Sequence, residues 1–187
     1  MTDKKRYFII MVIGVLMNEC LYGICRLVHA PFWLDTSGTG FAALMLEPAA
    51  GLIVGLINNF YLAITTGNSS NLLYFAVSAI PAIVIGVGMR NDDGQVVWKR
   101  TIPVFIILVV LETAISSPLS LWMDGGVLTT WWEQHVYGLA IGWGWSQTAA
   151  VWLATFLIKI PDTVATLAVI YGLYRVLPAK LHNDRDA

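Results

Sequence analysis

The stretch "FWLDTSGTGFAALMLEPAAGLIVGLINNF", residues 32–60, decides how this chain is folded. It opens aromatic and polar, turns apolar, meets Glu47-Pro48, and runs through Gly51 and Gly55 to Asn58 and Asn59. A proline drives the residue before it out of helical geometry and suits the first turn of a new helix. The stretch therefore predicts two helices meeting at a corner, a short one at about 36–46 and a second at about 48–64. A re-entrant hairpin is the alternative, because the first of the two is short for a span and its ends need burial by neighbours.

The surroundings of this corner are apolar. The chain has 187 residues, 57% hydrophobic and 12% charged, against about a quarter charged in soluble domains. Several apolar runs approach the ~20 residues that cross a bilayer. The expectation is an all-α integral membrane protein, one domain over 1–187. The N-terminal run after Lys4-Lys5-Arg6 is too long for a signal peptide and lacks a small-x-small cleavage site, so it reads as a retained first helix. Cys20 and Cys25 lie about 140° apart around that helix and read as packing residues. His29, His135 and His182 are scattered without metal-ligand spacing.

Charge sets the count of spans. Basic residues gather at Lys4-Lys5-Arg6, at Arg90 with Lys99-Arg100, and at Arg175, Lys180 and Arg185; Arg26 and Lys159 stand apart. The positive-inside rule puts both termini and the loop 90–100 in the cytoplasm. Leaving and returning with that polarity needs two passes within 36–64. The result is a six-transmembrane-helix bundle with helices at about 7–28, 36–46, 48–64, 71–90, 101–121 and 148–178.

Charged residues inside those spans are costly and face a cavity or a partner. Counting ~1.5 Å per helical residue from the cytoplasmic bases puts Glu19, Glu112 and Asp162 ~18–20 Å up and Lys159 ~24 Å up. All four fall in the outer half of a ~30 Å hydrocarbon layer. Glu19, Tyr22 and Arg26 form one stripe of the first helix, and Glu112, Ser116 and Ser120 one of the fifth. Lys159 and Asp162 are three apart, with Pro161 between them. Two readings follow: self-contained ion pairs, Lys159 with Asp162 and Arg26 with Glu19, or a substrate cup toward which Glu112 looks across the bundle. Asn58 and Asn59 offer one hydrogen bond to a neighbouring helix and one to the cup.

The connection 122–147 reads as an outer loop holding Trp122, Trp131, Trp132, Trp143 and Trp145. Tryptophans there serve either as membrane-belt anchors or as an aromatic lid over the cup, with Gly125, Gly126, Gly138, Gly142 and Gly144 as bending points. The strip Ala49, Ala50, Gly51 and Gly55 permits close helix approach, within the bundle or with a second membrane protein.

These motifs carry a resemblance. "LEPAAGLIVGLINN" is similar to a Gly-Pro-x-x-Gly-x-x-x-Gly corner between the second and third helices of S-components, the substrate-binding membrane subunits of energy-coupling factor (ECF) vitamin transporters. "FLIKIPDTVATLAVIYGLYRVL" resembles the family's last helix, with its Asn-Leu-Ile-Lys-like entry and basic end. Residues 33–39 match an aromatic-Leu-Asp-Thr-x-Gly-Thr pattern of a subset of these proteins. The resemblance covers nearly the whole chain, through degenerate motifs. Glu47 stands where the corner's first glycine belongs, and Ile10, Gly14 and Asn18 replace an Ala-x-x-x-Ala pattern used against the coupling subunit.

The resemblance implies a subunit of the bacterial plasma membrane that binds a water-soluble vitamin or precursor from outside. It works with a transmembrane coupling subunit and two ATPase subunits. It is no enzyme itself: ATP is hydrolysed by the partners, and the chain has no Gly-x-x-x-x-Gly-Lys-[Ser/Thr] loop. No cofactor or metal is expected. The substrate-binding set is Glu19, Tyr22, Arg26, Trp33, Asp35, Thr36, Asn58, Glu112, Ser116, Trp132, Lys159 and Asp162. The docking set is Gly14, Ala49, Ala50, Gly51 and Gly55. Cobalamin or its precursor, then pyridoxine or a related pyrimidine, then pantothenate form the ligand shortlist. A membrane sensory or scaffold domain of the same fold is the alternative, and an intramembrane enzyme using Glu112, Asp162 and Lys159 as acid and base is a third reading.

Overall fold

The computed structural model describes residues 3–93, 95–178 and 181, all in helices, turns or loops apart from an isolated bridge between Arg90 and Val96. Lys180, His182 and Arg185 of the sequence reading lie outside the described residues. The helices are α1 (Asp3–Leu27), α2 (Ser37–Met45), α3 (Pro48–Thr66), α4 (Ser70–Leu73), α5 (Phe75–Gly88), α6 (Thr101–Met123), α7 (Trp131–Gly142) and α8 (Gln147–Val176), with one 3-10 turn at Trp98–Arg100. Five stretches are long and apolar enough to cross a membrane: Asp3–Leu27, Pro48–Thr66, Ser70–Gly88, Trp98–Met123 and Gln147–Val176. Apolar residues such as Phe8, Leu16, Ile64, Ile102 and Val164 cover their outer faces, as an integral membrane protein requires.

The corner forms as the sequence predicts. Glu47 is extended (φ −165°, ψ 162°) and Pro48 opens α3. What precedes it is less ordinary. α2 has nine residues, all buried, and at ~1.5 Å per residue it is ~13 Å long, under half of a ~30 Å hydrocarbon layer. It sits among α1, α3, α5 and α8. Its composition is what lets it be surrounded: Gly38 lies so close to α1 that an added Cβ would stand 1.8 Å from the Gly14 carbonyl oxygen.

Both ends of α2 are satisfied by side chains from other elements. At the start, Asn18 accepts from the Gly38 N–H (2.7 Å) and donates to the Thr39 hydroxyl (3.0 Å). At the finish, Arg6 donates to the Met45 carbonyl (2.7 Å) and to Leu181 (3.1 Å), and Arg90 donates to the Leu44 carbonyl. Cations on terminal carbonyls satisfy acceptors that the helix cannot and oppose its dipole.

Arg6, Arg90, Arg100 and Arg175 thus mark one end of the bundle. Arg100 donates to the Arg90 carbonyl, and Trp98 packs edge-on against Tyr171 (4.8 Å) and Tyr174 (5.2 Å), with Arg175 over Tyr171. Above this basic end lies the core, built on Ile10, Phe41, Leu44, Met45, Val54, Ile85, Met89, Leu108 and Ile170.

Three expectations change. The fourth span is broken at Tyr74 into α4 and α5. The connection 122–147 is not simply a loop but contains α7, whose Val136 joins Leu128, Val151 and Ala154 in a second small core against α8. Gly138 and Gly142 lie inside α7, so they are not bending points; Gly125, Gly126 and Gly144 have positive φ and bracket the helix.

Candidate functional site

At the end opposite Arg6, Arg90, Arg100 and Arg175, the bundle holds a cavity of about 470 Å³. A second recess of about 680 Å³ adjoins it through shared walls at Tyr22, Trp33, Asn68, Asn71 and Thr129. The segment 28–36 forms one side. It follows α1 as irregular backbone, with His29 (φ 53°) and Leu34 (φ 55°) in the left-handed region. Trp131 of α7 donates to the His29 carbonyl (2.9 Å).

The cavity floor holds a buried charge group. Lys159 lies 3.0 Å from the Glu112 carboxylate and 3.9 Å from that of Asp162. All three are almost fully buried, so Glu112 does look across the bundle, to a partner on another helix. The second Asp162 oxygen accepts from the backbone N–H groups of Trp33 (3.1 Å) and Leu34 (3.0 Å). The Trp33 ring lies under the Lys159 ammonium at 5.3 Å. One carboxylate therefore neutralises the lysine and fastens the segment that walls the cavity. Charge-assisted bonds of this kind are among the stronger ones, and a lysine so paired can stay ionised out of water.

Further carboxyls line the wall. Asp35 is only partly exposed, and its carboxyl is pushed up to about 6, first by burial and then by the Asp162 carboxylate, with Lys159 opposing. Asn58 donates to the Asp35 backbone carbonyl (3.2 Å). Glu133 closes a capping box at the start of α7: its carboxylate accepts from the Thr130 N–H (3.2 Å) and hydroxyl (3.0 Å). Burial raises its carboxyl, and those Thr130 bonds hold it down. Asp124 accepts from the Tyr74 hydroxyl (2.9 Å). Thr36 and Thr155, both buried, face the cavity with hydroxyls that meet no partner among the described residues.

The structure thus sorts the sequence-predicted residues. Tyr22, Trp33, Asp35, Thr36, Ser116 and Lys159 line the cavity. Glu112 and Asp162 stand behind Lys159, and Asn58 stands behind Asp35. Arg26 lines the outer recess and lies over the Tyr22 ring (5.7 Å) instead of pairing with Glu19. Glu19 lines neither space, and one of its oxygens is buried without a hydrogen-bond partner among the described residues. Trp132 packs edge-on against Trp131 (5.5 Å) and lines neither space; Trp131 takes the place at the recess. Trp122, Trp143 and Trp145 are exposed and line neither, which fits membrane-belt anchors.

The predicted docking strip is used within the chain. Gly14 faces Gly38 and Ala42, Gly51 faces Thr39 and Ala43, and Gly55 faces Ser78 and Thr39. Ala50 is buried, leaving Ala49 exposed. Ile10, Gly14 and Asn18 are the buried stripe of α1 against α2, so that face offers nothing to a second protein.

Glu133, Asp124, Tyr74, Asn59 and Thr155 were not in the predicted set. Thr130-Trp131-Trp132-Glu133 is a capping-box pattern that announces α7 and, with it, Glu133. Asn59 is held by Ser78 (2.6 Å) and the Gly55 carbonyl (2.8 Å), so it is the asparagine that bonds a neighbouring helix, while it also touches the cavity. Among the described residues no group of three or more His, Cys, Asp or Glu is placed to hold a metal, and both cysteines are free. No family model, curated protein or solved structure matches this chain.

Proposed function

We propose that this protein is the substrate-binding subunit of an ECF-type transporter, taking up a water-soluble vitamin or precursor. The observation that carries the reading is the position of α2. Its finish is tied to Arg6 at the start of α1 and to Arg90. Residues 28–45 therefore return the chain from the far end of α1 to the basic end. Together with the five apolar stretches, this supports a reading of six passes with Arg6 and Arg175 at one end, the end that the positive-inside rule would assign to the cytoplasm. The cavity then faces outside, closed beneath by the packed core: a binding cup and not a channel.

The cup is of the size that holds a small ligand, since such pockets run about 300–1,000 Å³. That favours the smaller members of the shortlist, a pyridoxine-like ring or pantothenate, over cobalamin. A transmembrane coupling subunit and two ATPase subunits supply the energy. Because the strip at Gly51 and Gly55 is spent internally, the coupling subunit docks on another face.

The test has two arms. The protein in lipid nanodiscs is titrated with a panel of water-soluble vitamins while tryptophan fluorescence and thermal unfolding are followed. The tagged protein is also isolated from its native membrane and its companions identified by mass spectrometry. Saturable binding of one vitamin, with ATPases among the companions, is the expected result. A folded protein that binds none of the panel and brings down no ATPase overturns the reading; a histidine kinase in their place favours the sensory alternative.

A further inference from the structure

The cup's charge points to its ligand. The cation lining it, Lys159, is committed to Glu112 and Asp162. Asp35, Asp124 and Glu133 also line it, and no basic side chain among the described residues pairs with any of them. Carboxylates therefore exceed cations at the wall and just behind it. Burying uncompensated charge is costly, and an anionic ligand would add to the excess. A cation would relieve it. Aromatic rings belong to the same wall, at Tyr22, Trp33 and Tyr74; Arg26 and Lys159 already lie over the first two, which leaves Tyr74 as the ring to attract a cation or stack on a flat one. The hydroxyls of Thr36 and Thr155, which meet no partner among the described residues, leave hydrogen-bonding capacity for a polar occupant as well.

We infer that the cup takes a small heteroaromatic cation, with Asp35 as the carboxylate that meets the positive group and Tyr74 beside the ring. The inference rests on the cup being the substrate site of the proposed transporter. Asp35 is the choice among the three carboxylates because no other residue's side chain occupies its carboxyl, whereas Asp124 is engaged by Tyr74 and Glu133 by Thr130. Asp35 also sits immediately before the Thr36 cap of α2, a helix whose finish is tied to Arg6 and Arg90. A ligand held there is held by the rigid centre of the fold.

Three probes of nearly equal shape separate charge from size: 1-methylnicotinamide, a cation; nicotinamide, neutral; and nicotinate, an anion. Each is titrated into the nanodisc protein by equilibrium dialysis, beside the vitamin panel. The expected order is cation, then neutral, then anion, with the cation favoured at least about tenfold through ion pairing and cation–π contact, since its quaternary nitrogen has no N–H to donate. Asp35→Asn is expected to erase the preference while keeping neutral binding. Asp92→Asn, at an exposed carboxylate of the basic end, is expected to keep the order, and Asp35→Glu, which keeps the charge, is expected to keep the cation first if Asp35→Asn does not fold.

Neutral or anionic probes binding as well as the cation, or an anionic vitamin binding tightest, overturns the ligand class and leaves the transporter reading standing. So does Asp35→Asn with the preference intact. A folded protein that binds neither probes nor vitamins removes both.

Discussion

The two ends of this bundle use cations in opposite ways. At the basic end, Arg6 and Arg90 reach neutral carbonyls at the finish of α2, and the space between them and the core is filled by aromatic and aliphatic side chains. At the cavity end, Lys159 reaches two carboxylates and the space beside it stays open. Arginine, a planar donor fork that never loses its charge, suits carbonyl capping; lysine, a point charge, suits a compact site between acids. The difference teaches that the first end is packed shut while the second keeps charge beside an open space.

The strongest way to break this contrast is Lys159→Met. It leaves Glu112 and Asp162 buried without their cation, and removing one partner of a buried pair costs about 3–5 kcal/mol. Thermal unfolding in nanodiscs is expected to show a large loss. Adding Glu112→Gln and Asp162→Asn to Lys159→Met recovers part of it, because the acids no longer carry charge. Retention of full stability by Lys159→Met would show that the network does not hold this end together.

Gly38→Ala attacks the centre. The new Cβ would meet backbone at 1.8 Å, which no rotamer change relieves, so α1 and α2 must separate. The expected loss is at the upper part of the about 1–3 kcal/mol typical of overpacking. Arg6→Gln tests the seal. Arg6 is half-buried, so losing its bonds to Met45 and Leu181 is expected to cost about 1.5 kcal/mol, the low end for charged hydrogen bonds, with ligand binding unchanged. If Arg6→Gln instead weakens binding as Asp35→Asn does, the two ends are not separate devices.

The smallest effect is that of pH. Burial and the neighbouring Asp162 carboxylate push the Asp35 carboxyl up to about 6 in the fold, against about 3.9 in an unfolded chain. The folded state therefore holds this proton more tightly, and stability from this group falls as pH rises from about 4 through about 6, then levels off. The groups acting on it are Asp162 and Lys159 from α8, Glu112 from α6, and Glu19 and Tyr22 from α1. Melting temperature without ligand is expected to be higher at pH 5 than at pH 7.5, and Asp35→Asn to make that slope shallower.

Much of the fold was legible from local chemistry. Pro48 declares its corner because proline constrains its own φ and its neighbour's ψ whatever surrounds it. The charge layer was legible because helical rise converts residue counts to depth, and Lys159, Glu112 and Asp162 do meet. What was not legible depends on which surfaces meet. Gly51 and Gly55 announce close approach, yet nothing local says that what approaches is α2 and α5 of the same chain. Arg6 and Arg90 read as topology signals, and only the fold makes them caps for α2. Trp132 and Trp131 are adjacent and alike in composition; the turn of α7 decides which reaches the recess.

A helix that meets only protein has a further consequence. Ordinary spans must match the hydrocarbon thickness around them, tilting or straining when the lipid changes. α2 touches none of it. The span from the Arg6–Met45 contact to the Asn18–Gly38 contact is set within the protein, so the start of α2, beside the cavity wall at Thr36, keeps its distance from the basic end in thick bilayers and thin ones alike.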